Sequence, residues 1–578
     1  MVSRDRLQHS LRCRPGPLVR SWTDNVPVVE AASTALWRRD ASIWSADPEV
    51  QQTIANRLGW LSSPALMSNA IDRLETFAAT VKDDGFTDVV LLGMGGSSLA
   101  PEVLRAVVGV APGYPALHML DSTDPAAVRA VATVPEHTLY LLASKSGSTI
   151  EPNSLAAYFR SRLEAHGLPW PRHFVAITDP GTDLDRRARA DGFRDVFINP
   201  SDIGGRYSAI SYFGLVPAAL MGQDLRELVA ESRAMLEAAQ ATASAATNPA
   251  TALGLAIGTG LTAGRDKMTL IVPPALESFG LWVEQLVAES TGKQGVGVVP
   301  IAGEAIGKAD RYGSDRLFVR LRDVGAIEDG SYDEKAEAAL VADLEKAGAP
   351  IVEIDWLTPT SLGAEFVRWE IATAIAGAMM KINPFDEPNV QQAKDATRTL
   401  LDHYKAEGRL PAACADHTLP GGIALNTSNA ARTRLAGKNA ESILTLIGKG
   451  DYFSLLAYVG PDEAISRELH AFRNAVRDRT RAATMFGYGP RYLHSTGQLH
   501  KGGPNSGVFV LITADPTGDL PIPDEAFSFG TLELAQGLGD FASLDATGRR
   551  AAHVHLPRPE ARLVREVAEA MLARRPNH

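Results

Sequence analysis

Cysteine is nearly absent from this chain: Cys13 and Cys414 are the only two in 578 residues. Two thiols cannot build a structural zinc site or a disulfide framework, so the composition points to a reducing compartment, the cytoplasm. Long apolar runs are missing too. The most continuous helix-like one, Ile371 to Met380, spans ten residues between Glu370 and Lys381, well short of the roughly 20 that cross a bilayer. Positive charge is in deficit: 57 Lys and Arg against 68 Asp and Glu leave a formal net charge of −11. That balance disfavours a nucleic acid or an anionic membrane bound through bulk charge, so an anionic ligand must be held locally. The first twenty residues have no apolar h-region, and Asp5 interrupts the basic character of a transit peptide; they read as a partly ordered arm. What is present is core material, with 45% hydrophobic and 22% charged residues, enough for several domain-sized units.

From about Asn25 to Lys82, tryptophans and leucines three and four apart predict helices, and residues 1–82 are read as an N-terminal helical arm. Strands and helices then alternate. The expected strands are Asp88–Leu92, Ala116–Leu120, Leu139–Ala143, Phe174–Thr178 and Val196–Ile198, and a second series lies near Met268–Val272, Leu317–Leu321, Ile351–Ile354, Phe453–Tyr458, Ala483–Phe486 and Val508–Ile512. Short apolar strands separated by crossovers imply an α/β class with two doubly wound parallel-sheet domains, residues 83–245 and 246–578. The second also holds a helical block at 362–407 and an insertion at 408–449. Ligands of such sheets sit at the carboxyl ends of the strands.

Two strand-to-helix loops there carry chemistry. Gly93-Met94-Gly95-Gly96-Ser97-Ser98 opens a helix near Leu99, so its backbone N–H groups and helix N-terminus form an anion cradle. One reading is a dinucleotide fingerprint, with Asp121 as the ribose acid, although Ser98 stands where the third glycine belongs. The other is a phosphomonoester site in which Ser97 adds a hydroxyl. Ser144-Lys145-Ser146-Gly147-Ser148-Thr149-Ile150-Glu151 follows the third strand and crowds four hydroxyls and a lysine into eight residues. A second hydroxyl-rich loop favours a phosphosugar, since each hydrogen bond to a charged oxygen contributes roughly 1.5–3 kcal/mol. Ser148-x-x-Glu151 also reads as a capping box that ties down a helix start.

The pair of loops resembles a sugar-isomerase (SIS) domain, and later segments resemble the glucose-6-phosphate isomerase family, most closely the isomerase half of bifunctional transaldolase/isomerase chains. Gly204-Gly205-Arg206-Tyr207-Ser208 is similar to that family's GGRYS segment, and Glu284 to Lys293 to its Q-x-x-x-E-S-x-G-K segment. Phe385-Asp386-Glu387-Pro388-Asn389-Val390-Gln391-Gln392-Ala393-Lys394 is similar to F-D-Q-x-x-V-x-x-x-K. The resemblance implies two SIS folds, a sugar-phosphate substrate, and no metal or cofactor. It assigns substrate binding to Gly95, Gly96, Ser97, Ser144, Lys145, Ser146, Ser148, Thr149, Glu151, Gly205 and Glu387. Members commonly dimerise and share a histidine between subunits; a homodimer is therefore one assembly, but the altered motif order here does not carry the sharing over.

The family's G-T-N-G-Q-H segment is missing between Glu289 and Lys394. Its nearest match, Gly487 to His500, comes later in the chain and offers two histidines; His500 follows the Gly-Gln pair and is preferred over His494. Glu387 stands where the family usually has glutamine. The implied reaction is reversible aldose–ketose interchange of glucose 6-phosphate and fructose 6-phosphate through an enediolate, as in glycolysis and gluconeogenesis. Glu289 is the expected base, its proton affinity raised by the C-terminal pole of its helix. Arg206 is the expected cation for the enediolate oxygen, and Lys394 with His500 the ring-opening pair. The alternatives are a noncatalytic sugar-phosphate sensor, which needs none of these four, and an NAD-dependent dehydrogenase, which explains only Gly93–Ser98 and Asp121.

Overall fold

The computed structural model describes residues 4–240, 244–411 and 415–574; Cys414 lies outside them. Three sheets carry the fold. In the first, five parallel strands run in the order Ala116–Leu120, Asp88–Gly93, Thr138–Ala143, Phe174–Thr178, Asp195–Ile198. Asp88–Gly93 is buried on both faces, as its unbroken Val and Leu run requires of a strand covered by helices on each side. The winding direction across the sheet reverses between Asp88–Gly93 and Thr138–Ala143, so both hydroxyl-bearing loops emerge side by side at the switch point.

Residues 246–578, expected as one further α/β domain, contribute to two sheets. The second sheet orders Leu11–Arg14, Ile351–Trp356, Arg316–Asp323, Lys267–Ile271 and Val299–Ile301. Its strands are parallel except the first, so part of the N-terminal arm is an antiparallel edge strand. The third orders His417–Leu419, Ile423–Thr427, Arg550–Leu556, Gly507–Ala514, Tyr452–Tyr458 and Ala483–Tyr488. Its first two strands come from the 408–449 insertion and pair antiparallel; the other four are parallel. The architecture is α/β with doubly wound parallel sheets, as expected.

One core joins the N-terminal helices, one face of the first sheet, and the helices Glu277–Thr291 and Leu362–Met380. The third sheet has its own. The second and third sheets meet through buried arginines: Arg473 donates to the carbonyls of Ala302 (2.7 Å) and Gly303 (2.9 Å), and Arg316 Nη2 donates to the Ala482 carbonyl at 3.1 Å. Among the described residues, no helix is long and apolar enough to cross a membrane.

Candidate active site

The loop 93–98, the first candidate phosphate loop, forms a 3-10 turn, Gly95–Ser97, before the helix Leu99–Val107. Gly95 is left-handed at φ +55°, and a Cβ there would sit 2.5 Å from the His494 carbonyl oxygen. A Cβ on Gly96 would sit 2.1 Å from the carbonyl oxygen of Gly205. Glycine at both positions therefore lets three segments meet: 93–98, 204–208 and the turn Arg491–His494.

In the second loop Ser144 and Thr149 face each other, Oγ to Oγ1 at 3.0 Å, and the Gly147 N–H donates to Ser144 Oγ at 3.1 Å. The Ser148 N–H donates to Ser146 Oγ at 3.3 Å. Lys145 is ion-paired with Asp179 and donates to the Ser201 carbonyl at 3.3 Å. The capping-box alternative is not realised: the N-cap of the helix Ile150–Ala165 is Thr149, with no side-chain cap bond. Glu151 instead turns inward, where its Oε1 bonds His494 Nε2 at 2.8 Å and accepts from Gln536 Nε2 at 2.7 Å. Burial opposes ionisation of Glu151, but His494 and the charge of Lys394 more than offset it and hold its pKa below the ordinary carboxylate range.

Arg206, 3% exposed, sits in the 3-10 turn Gly205–Tyr207 and is fixed on every side. Its Nε donates to Ser290 Oγ (2.7 Å), and its Nη2 to the carbonyls of Pro384 (2.8 Å) and Asp386 (2.9 Å). Its Nη1 reaches Glu387 at 3.0 Å and Glu289 at 3.4 Å. Glu289 projects from the helix Glu277–Thr291, whose every residue from Trp282 to Thr291 is buried. Burial, reinforced by the Glu387 carboxylate, pushes its pKa up to about 7 against the pull of Arg206. Desolvation and a like charge thus raise it. Desolvation would raise Glu387 as well; Arg206 overrides it and holds that carboxylate low.

His500 is a correction. It is 1% exposed, both ring nitrogens are without a hydrogen-bond partner, and its ring packs 5.2 Å from Phe509 and 5.9 Å from Tyr492. Burial pushes its pKa well below the ordinary histidine value. The helix Gly497–Gly502 turns this residue into the core of the third sheet. His494, at the end of the preceding turn, is the histidine at the site. Lys394 is exposed on the helix Val390–Glu407, within electrostatic reach of Glu151. Asp121 pairs with Arg491 at 2.6 Å instead of marking a ribose site.

Three further residues at the site have no role assigned from the sequence: Gln285 and Lys293 are the ends of the Q-x-x-x-E-S-x-G-K segment, and Gln536 lies outside every motif. Gln285 Nε2 bridges the Glu289 carboxylate (3.3 Å) and the His494 carbonyl (2.8 Å). Lys293, brought down to about 8 by burial and by Arg206, anchors Asp386 at 2.7 Å. Gln536 lies in the helix Phe529–Ala546; Glu533, Gln536 and Asp540 fall three and four apart in an otherwise apolar stretch, a stripe whose spacing marks a buried polar face.

Residues 62–303, which carry the two loops, Arg206 and Glu289, match the family model described as phosphoglucose isomerase. The chain is 30% identical over 410 residues to a glucose-6-phosphate isomerase of Parasynechococcus marenigrum, covering 62% of this chain and 73% of that one. A glucose-6-phosphate isomerase of a Synechococcus strain is 29% identical over 471 residues, 73% of this chain and 86% of its own. Among solved structures, a hypothetical protein from Thermus thermophilus superposes with a TM-score of 0.56 at 26% identity, over 67% of this chain and 99% of that one. The buried arginine–glutamate pair beside two hydroxyl-bearing loops and the extent of these matches agree, and the chain belongs to the phosphoglucose isomerase family.

Proposed function

We propose that this enzyme interconverts glucose 6-phosphate and fructose 6-phosphate by moving a proton between C1 and C2, in the reducing cytoplasm that its two cysteines suit. The observation that carries the reading is Arg206 Nη1 at 3.4 Å from Glu289, both buried, with the His494–Glu151 pair joined to them through Gln285. The phosphate enters the cradle of Gly95, Gly96, Ser97, Ser144 and Thr149. In its ionised form Glu289 takes the C2 proton of the open aldose and returns it to C1. Arg206 faces the oxygen on which charge develops, already oriented by four other contacts, so little reorganisation accompanies the transition state. His494, held by Glu151, opens the pyranose with Lys394 by protonating the ring oxygen and accepting the proton of the C1 hydroxyl.

The test is NMR of the purified protein with fructose 6-phosphate in deuterated buffer and no added cofactor. Glucose 6-phosphate resonances should appear, with deuterium partly replacing hydrogen at C2. No conversion would overturn the assignment and favour a sensor.

A further inference from the structure

The segment after the edge strand Ala116–Leu120 holds two hydrogen-bond chains that lead to the histidine turn and to its partner carboxylate. Asp121 Oδ2 accepts from Arg491 Nε at 2.6 Å and from Ser98 Oγ at 3.2 Å. Arg491 opens the turn that ends at His494, so this contact ties the histidine turn to the first phosphate loop. Two residues on, Thr123 Oγ1 bonds Gln536 Oε1 at 2.9 Å, and Gln536 Nε2 donates to Glu151 Oε1 at 2.7 Å, the oxygen that also bonds His494. Thr123 and Gln536 are fully buried. An ionised carboxylate can only accept, so Gln536 turns its NH₂ to Glu151 and its carbonyl oxygen to Thr123, whose hydroxyl donates. The polarity of the chain is set from end to end.

We infer that residues 121–123 are a positioning element for ring opening. Asp121, acting through Arg491, sets where the His494 turn lies; Thr123, acting through Gln536, sets the orientation of the carboxylate that holds the imidazole. The inference rests on His494 as the ring-opening group. Without the amide, Glu151 is free to rotate about its side chain and the imidazole follows it. A displacement of about 1 Å in a reacting group can cost about 100-fold in rate. Neither chain contacts Glu289 or Arg206 directly; the one link to the base runs from the His494 carbonyl through Gln285.

A cross-link that merely fastens the third sheet to the first would have the same contacts and differs in kinetics. The experiment measures kcat and KM for glucose 6-phosphate in the full chain carrying Asp121→Asn, Gln536→Met, and each combined with His494→Ala. Each single variant should lower kcat about tenfold with KM within about twofold. Added to His494→Ala, neither should lower kcat by more than about twofold further, because residues acting through one group are not additive. The same factor in both backgrounds, or wild-type kcat in the single variants, overturns the inference. If Gln536→Met does not fold, Thr123→Val makes the same cut one hydrogen bond further out, and Thr123→Ser should restore kcat. Full activity in His494→Ala alone would refute the ring-opening role itself and the inference with it, a result distinct from the others.

Discussion

Glu289 Oε1 lies 3.4 Å from Arg206 Nη1, and the guanidinium is shared with Glu387 at 3.0 Å. In the proposed reaction the base and the charge stabiliser are thus one electrostatic unit, and the acid beside it adds to the upward push of burial on the base.

Replacing the base is the most direct probe. Glu289→Gln keeps the shape but cannot take the C2 proton, so kcat should fall about 10²-fold or more while KM changes little. Steady-state rates with either hexose phosphate measure this, and near-normal turnover would remove Glu289 from the mechanism.

The pH profile follows from burial. With Glu289 pushed up to about 7, the base is protonated below that pH, so kcat/KM should fall on the acid side of neutrality. Glu387 contributes to the upward shift; Glu387→Gln removes that charge and should move the acid limb to lower pH. A limb that stays in place, or moves to higher pH, contradicts the coupling.

Ser144→Ala and Thr149→Ala test the phosphate cradle. Each removes one hydroxyl from the facing pair and should cost about 1.5–3 kcal/mol of binding, roughly a tenfold to hundredfold rise in KM, with a much smaller change in kcat. An unchanged KM would place the phosphate elsewhere.

The two histidines should separate cleanly. His500→Leu alters only the core of the third sheet, so kcat should stay within about twofold while the thermal midpoint shifts by several degrees. His494→Ala should lower kcat with cyclic glucose 6-phosphate by about 10²-fold. Equal losses in both variants would reopen the choice.

Gly96→Ala places a methyl 2.1 Å from the Gly205 carbonyl oxygen. Backbone must move there, so stability should drop by about 1–3 kcal/mol, and the displacement should separate the phosphate loop from Arg206. Denaturant unfolding and kcat/KM report the two effects.

The phosphate loops are legible in the sequence because their signal is local: glycines and hydroxyls at a strand-to-helix junction imply their own geometry. Arg206 and Glu289 are legible only through the resemblance, since a buried arginine and a surface one read alike in sequence. The choice between His494 and His500 is not legible. Both stand in one polar stretch, and what separates them is the rotation of a six-residue helix, Gly497–Gly502, against Phe509. Among the strands, Arg550–Leu556 is hidden because His553, His555 and Arg550 dilute its apolar run, although it pairs on both sides. Val299–Ile301 is three residues long with Pro300 in its middle. Leu11–Arg14 reads as an arm because its arginines look like solvated charge; Arg12 and Arg14 in fact pair across the strand with Asp355 and Glu353.

The site is assembled from the ends of three sheets, and each step draws on its own share. In the proposed reaction, proton transfer uses Arg206, after the first sheet, and Glu289, on a helix of the second; ring opening uses His494, beside the third. Because those ends need only meet in space, the chain can visit them in any order that leaves each loop at its sheet's edge. A histidine segment after Lys394, not before it, is therefore a change of itinerary with the same destination. It also divides the chain's tolerance: a disturbance that shifts the His494 turn would impair handling of the ring form and spare the open-chain exchange.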